Sequence, residues 1–81
     1  MADLRLNIVS PEKLFFDGEA ESVTLPGVQG AFTILPQHAP IVSSLGEGVV
    51  KYVADGELHE IPVKSGFVEM SDGNVTVCVE E

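Results

Sequence analysis

Positive charge is what this chain has least of: four Lys and Arg stand against thirteen Asp and Glu, a formal charge of −9 over 81 residues. A phosphate backbone is held by cations that displace its counterions, so the balance excludes nucleic acid as a partner. An acidic surface serves solubility, or it meets a basic protein surface. The single cysteine leaves no internal disulfide. No apolar run approaches the ~18 residues that span a bilayer, and the N-terminus has no basic region followed by an apolar stretch. The expectation is therefore a cytosolic protein without direct membrane insertion, though one able to sit on something embedded in a membrane. No segment sustains a 3.6-residue apolar period, which leaves little room for helices. A chain of this size buries only roughly 60% of its unfolded surface, so its core is thin and a partner surface is expected to complete its stability.

What the chain does have is strand periodicity and turn chemistry. Leu4, Leu6 and Ile8 alternate with Arg5, Asn7 and Val9 before Ser10-Pro11 interrupts them. Residues 13–24 hold Phe15, Phe16 and Val23 around Gly18, where a phase shift predicts a bulge. Residues 41–45 read as a short strand. Residues 49–53 and 58–63 flank Asp55-Gly56, and 67–70 and 74–79 flank Asp72-Gly73. Both pairs suit type I′ hairpin turns, which need positive φ at each central residue. Pro62 cannot donate to a ladder and marks an edge strand or a bulge. Val75, Val77 and Val79 share one face, with Thr76, Cys78 and Glu80 on the other. The expected class is all-β, one domain over residues 1–81.

The densest signal lies in residues 25–40, LPGVQGAFTILPQHAP. Pro26-Gly27 suits the centre of a type II turn, residues 32–35 form a β-type segment, and Pro36 and Pro40 bracket a rigid corner that holds His38. From these local features alone, His38 is either a directed contact residue or a corner histidine bonded to a nearby carbonyl.

Catalytic constellations are missing. His38, His59 and Cys78 lack paired metal-ligand spacing, and neither a nucleophile elbow nor a phosphate-binding glycine loop is present. Asp17, Glu19 and Glu21 alternate along a strand as a candidate carboxylate set, although like charges at that spacing suit a solvated face better. Cys78 reads as a small packing residue. No cofactor and no metal is expected. Small acidic β domains also act as lipoyl or biotinyl carriers, but those put a lysine at a hairpin tip, and neither Asp55-Gly56 nor Asp72-Gly73 has one.

At this point the residues resemble a known family, the N-terminal domain of the epsilon subunit of F-type rotary ATP synthases. Its pattern L-P-G-x-x-G-x-F-x-x-L-P-x-H-A-P, then L-x-x-G, is matched by residues 25–40 with Leu45 and Gly48. The likeness reaches both ends, through Val9-Ser10-Pro11-Glu12-Lys13 and through Ser65-Gly66-Phe67-Val68-Glu69 with Asn74-Val75-Thr76-Val77. The resemblance implies a flattened sandwich or barrel of about ten short, mostly antiparallel strands. It also implies a non-catalytic central-stalk subunit that couples the proton-driven ring of c subunits to gamma during ATP synthesis, peripheral to the cytoplasmic side of a bacterial membrane.

Carried over by position, Ser10, His38, Ala39, Pro40 and Ser43 would face the gamma subunit. Val28, Gln29, Gly30 and Ala31 would reach the c-ring, with the alpha/beta catalytic head as a further neighbour. Two positions depart from the pattern: Ala31 stands where an acid is common, and Gln37 where glycine is frequent. Family members commonly continue into a helical hairpin that restrains ATP hydrolysis. This sequence ends at Glu81, so either the subunit is naturally short, the expectation its polar Glu80-Glu81 end favours, or the hairpin has been cut away, and neither inhibition nor nucleotide binding is assigned to it.

Overall fold

The computed structural model describes residues 3–36 and 39–81. Among them run nine strands and no helix: β1 (Leu4–Val9), β2 (Leu14–Ala20), β3 (Ser22–Gly27), β4 (Gly30–Ile34), β5 (Ile41–Leu45), β6 (Gly48–Ala54), β7 (Glu57–Val63), β8 (Ser65–Ser71) and β9 (Asn74–Glu80). They form one sheet in the order β2-β1-β9-β8-β5-β3-β6-β7, with β4 added beside β3. Every pairing is antiparallel except β1 with β9. The all-β expectation holds, as a curled mixed sheet of the sandwich and barrel kind measuring 33 × 23 × 19 Å.

Alternation puts the core where the sequence pattern indicates. Leu6 and Ile8 of β1 lie opposite Val75 and Val77 of β9, and these four and Leu4 are buried. Leu25, Ile34, Val50 and Val68 come from four further strands to meet them. The sheet closes on itself through rings. Phe16 of β2 lies 4.6 Å from Tyr52 of β6, and Tyr52 stacks on His59 of β7 at 4.9 Å. Burial pushes the Tyr52 phenol above its ordinary value of 10.0, so it takes part in this seam as a neutral ring. Two hydrogen bonds fix the same seam: Glu21 N donates to Val53 O at 2.7 Å, and Gly56 N donates to the Glu21 carboxylate at 3.2 Å.

Both Asp-Gly hairpins form as the sequence indicates. Asp55 and Gly56 have φ of 54° and 74°, Asp72 and Gly73 have 53° and 78°. Replacing Gly56 by valine forces a β-branched side chain into that left-handed region, at a cost of about 1–3 kcal/mol. The expected result is a melting temperature lower by roughly 5–15 °C, measured by circular dichroism. Space is not the cause, since nothing lies within 4 Å of a Cβ at that position.

Two local expectations are corrected. The bulge falls at Phe15 rather than Gly18, because the β1–β2 register shifts between Ile8 and Val9, which pair with Phe16 and Leu14. The extra residue lets Phe15 and Phe16 both pack against the core, which strict alternation forbids. The turn after β3 centres on Val28-Gln29, not Pro26-Gly27, since Gly27 pairs with Gly30 and Pro26 with Ala31. Pro26 fits inside the strand because β3 changes partner there, from β6 at Thr24 to β5 at Gly27, and no donor is required of it. Pro62 sits on β7, the last strand of the sheet, as its missing N–H indicates.

Candidate functional site

The hairpin tip after β3 is held rigidly. Val28 N donates to Ser44 O at 3.2 Å and Gly46 N donates to Pro26 O at 2.8 Å, so β5 supports the turn from one side. Gly27 is required for the close crossing, because a Cβ there would stand 2.7 Å from Gly30 O and 2.8 Å from the Phe32 ring. Val28, Gln29, Gly30 and Ala31 are all exposed, Val28 by 63%. Beneath the tip is an open hollow of about 410 Å³, lined by residues 27–30, Phe32 and 41–44.

That hollow regroups the residues singled out by resemblance. Ser43 lines it beside Val28, Gln29 and Gly30. Ser10 does not. Three strand spacings of ~4.8 Å separate β5 from β1 along the path β5-β8-β9-β1, so Ser10 lies about 14 Å away across the sheet. Its hydroxyl serves its own turn, accepting from the N–H groups of Glu12 (3.3 Å) and Lys13 (3.2 Å). Ala39 and Pro40 are exposed and lead into β5. His38, together with Gln37, lies outside the described residues.

A feature that sequence reading missed occupies the outer face. Following the register from β5 to β2, Ser44 pairs with Phe67, Phe67 with Cys78, Cys78 with Val9 and Val9 with Leu14. These residues form a band across five strands, with Phe67 48% and Leu14 58% exposed and Val42 beside it at 74%. A hollow of about 370 Å³ lies along it, lined by Pro11, Gly66, Phe67 and Cys78 among others. The polar rim carries Glu69, Thr76 and Asn7 in the next row, and Arg5 bound to Asp17 at 2.9 Å. An apolar centre with a polar, charged rim is the usual anatomy of a protein-docking surface. The available signal was Phe67 opposite the Cys78 side of β9, but linking it to Val9 and Leu14 needs the parallel β1–β9 pairing.

The same geometry argues against chemistry at the candidate groups. Asp17 is bound to Arg5 while Glu21 turns to Gly56 N, so the three carboxylates do not converge. His59 is stacked on Tyr52. Among the described residues no three His, Cys, Asp or Glu side chains gather to hold a metal. Lysine is also absent from the three hairpin tips, Val28-Gln29, Asp55-Gly56 and Asp72-Gly73, and Lys64 stands instead at the corner between β7 and β8, which do not pair with each other. No helix of the described residues is long and apolar enough to cross a membrane.

Comparison with known proteins agrees with this architecture. The ATP synthase epsilon chain of Leptospira borgpetersenii is 40% identical over 77 residues, covering 95% of this chain and 61% of the relative. That of Desulfitobacterium hafniense is 45% identical over 75 residues, covering 93% and 57%. The chain thus spans about three fifths of the length of the curated relatives it matches. In fold, it superposes with a TM-score of 0.91 on a chain of the Euglena gracilis mitochondrial ATP synthase structure (OSCP/F1/c-ring), at 19% identity and over 100% of this chain and 52% of that one. The family model for the beta-sandwich domain of the ATP synthase delta/epsilon chain matches residues 3–81. With the LPG-to-HAP run lying inside that match and the strands curled as a sandwich requires, the chain belongs to the ATP synthase delta/epsilon family.

Proposed function

We propose that this chain is a non-catalytic coupling subunit of the central stalk of a proton-translocating ATP synthase. It acts as one β-sandwich domain over residues 1–81, peripheral to the cytoplasmic side of a bacterial membrane. The observation that carries the reading is the apolar surface band through Phe67, Cys78, Val9 and Leu14, with no convergent catalytic groups beside it among the described residues. The band, with Ser10 and Pro11 at one end and the corner at His38, Ala39 and Pro40 leading into β5, is the face for the gamma subunit. The rigid tip at Val28, Gln29, Gly30 and Ala31 is the contact for the c-ring, and Ser43, expected at gamma from the resemblance, is reassigned to it because it lines the hollow beneath the tip. The alpha/beta catalytic head is a further neighbour.

Stiffness is what such a part has to supply. Each proton crossing ~100 mV carries roughly 2.3 kcal/mol, and that work reaches the catalytic head only if the joint between ring and stalk does not slip. A tip tied by two backbone hydrogen bonds and a sheet closed by stacked rings resist that slip. Calorimetric titration tests the reading. The chain is expected to bind purified gamma saturably at one to one and to give no saturable heat with ATP. Binding of ATP without binding of gamma would replace this function by another.

A further inference from the structure

The curled sheet has three strand edges without a partner among the described residues: the outer sides of β2, β7 and β4. Two are protected in the ways that keep edge strands from recruiting others. β2 carries Asp17 and Glu19 and the bulge at Phe15, and β7 carries Glu57, Glu60 and Pro62. β4, Gly-Ala-Phe-Thr-Ile, has no charge and no proline, and its register with β3 is unbroken. In a chain of net charge −9, an uncharged edge stands out from its surroundings.

The hydrogen-bond pattern shows which groups of β4 are free. Val28 N donates to Ser44 of β5 and Pro26 O accepts from Gly46 just beyond it, so the backbone of Gly27 faces β4. By alternation Leu25 and Val23 also face β4, and their partners Phe32 and Ile34 bond back to them. The N–H and C=O of Ala31 and Thr33 therefore point away from the sheet. Both residues are exposed, and apolar Val28 (63% exposed) and Leu35 (56%) stand just beyond either end of the strand.

We propose that this edge takes up an extended segment of a neighbouring subunit, which completes the sheet as an added strand. The segment sets apolar residues beside Phe32 and Ile34 and carries Lys or Arg at its flanks. Charge selects that chemistry: a −9 chain attracts basic flanks and repels a second copy of itself. The proposal rests on the stalk reading above, since the edge runs between the tip assigned to the ring and the corner assigned to gamma.

Hydrogen exchange in the intact ATP synthase, assembled with a tagged copy of this chain, tests it. Amide exchange at Ala31 and Thr33 is expected to slow at least 10-fold relative to the isolated chain. Thr33→Pro removes an outward N–H and is expected to weaken retention of the chain in the complex at least 10-fold. Thr33→Ala loses the same hydroxyl contact with Thr24 (2.9 Å) but keeps the N–H, and is expected to be retained as wild type. A chain that enters the complex with unchanged exchange at Ala31 and Thr33 overturns this proposal alone. A chain that never enters it overturns the stalk reading too. Dimers of the isolated chain that Thr33→Pro abolishes would show that the edge pairs with itself, which also overturns the proposal.

Discussion

Gly66→Ala is expected to be the most destabilising single-methyl addition in the chain, lowering the melting temperature by roughly 15 °C or more. Gly66 is the second residue of β8, between Leu45 of β5 and Val79 of β9. Its φ is 157°, and a Cβ would collide with the Cys78 carbonyl oxygen and stand 3.0 Å from Val79 Cα. Both obstacles are backbone, so relief requires parting two strands rather than turning a side chain. The cost is on the order of 3–5 kcal/mol, against a total stability of about 4–12 kcal/mol for a chain of this length. Gly30→Ala is the matched control. Its φ of 131° is also left-handed territory, but nothing lies within 4 Å of its Cβ position, so only the conformational strain of about 1–3 kcal/mol remains. Thermal unfolding of both variants that gave equal losses would show that strand crowding at Gly66 is not what matters.

The second large effect is on association. Phe67→Glu is expected to weaken binding of gamma at least 100-fold, about 2.7 kcal/mol, because it puts a carboxylate at the centre of a surface that must be desolvated. Phe67 is 48% exposed and lies outside the core, so the melting temperature is expected to stay within a few degrees of wild type. Glu69→Lys, on the rim beside Val42, is expected to change affinity only a few-fold and mainly through its salt dependence. Titration of gamma into the two variants at low and high salt separates these outcomes. Equal, small effects of both would mean that the apolar band is not the docking face.

The parts of this fold legible from the sequence are those set by short-range physics. β1 follows from alternation of three aliphatic residues, and both Asp-Gly turns follow from the positive φ they require. Pro62 announces its edge because a missing donor has one tolerable place. What escaped is set by long-range pairing. The bulge at Phe15 depends on how β2 matches Ile8 and Val9, and no local feature separates Phe15 from Gly18 as its site. Pro26 reads as a turn residue, yet it stands where β3 exchanges β6 for β5, an arrangement invisible without the third and fourth strands.

The proposed docking surfaces divide in the same way. The Val28-Gln29 tip is recognisable because glycines flank it, although its centre lies two residues beyond Pro26-Gly27. Ser10 and Ser43 fell together by resemblance, whereas the sheet sets four strands from β1 to β5 between and including them. The band through Phe67, Cys78, Val9 and Leu14 is a property of register across five strands. Each residue alone is an ordinary exposed or half-buried apolar side chain, and only the parallel β1–β9 ladder makes them one surface.

Transmission of torque is the core of this account, and reconstitution measures it directly. ATP synthase lacking this chain, inserted into liposomes with an imposed proton gradient, is expected to make little ATP, and adding the wild-type chain is expected to restore synthesis while Phe67→Glu does not. Equal rates of gradient-driven ATP synthesis with and without the chain would contradict it.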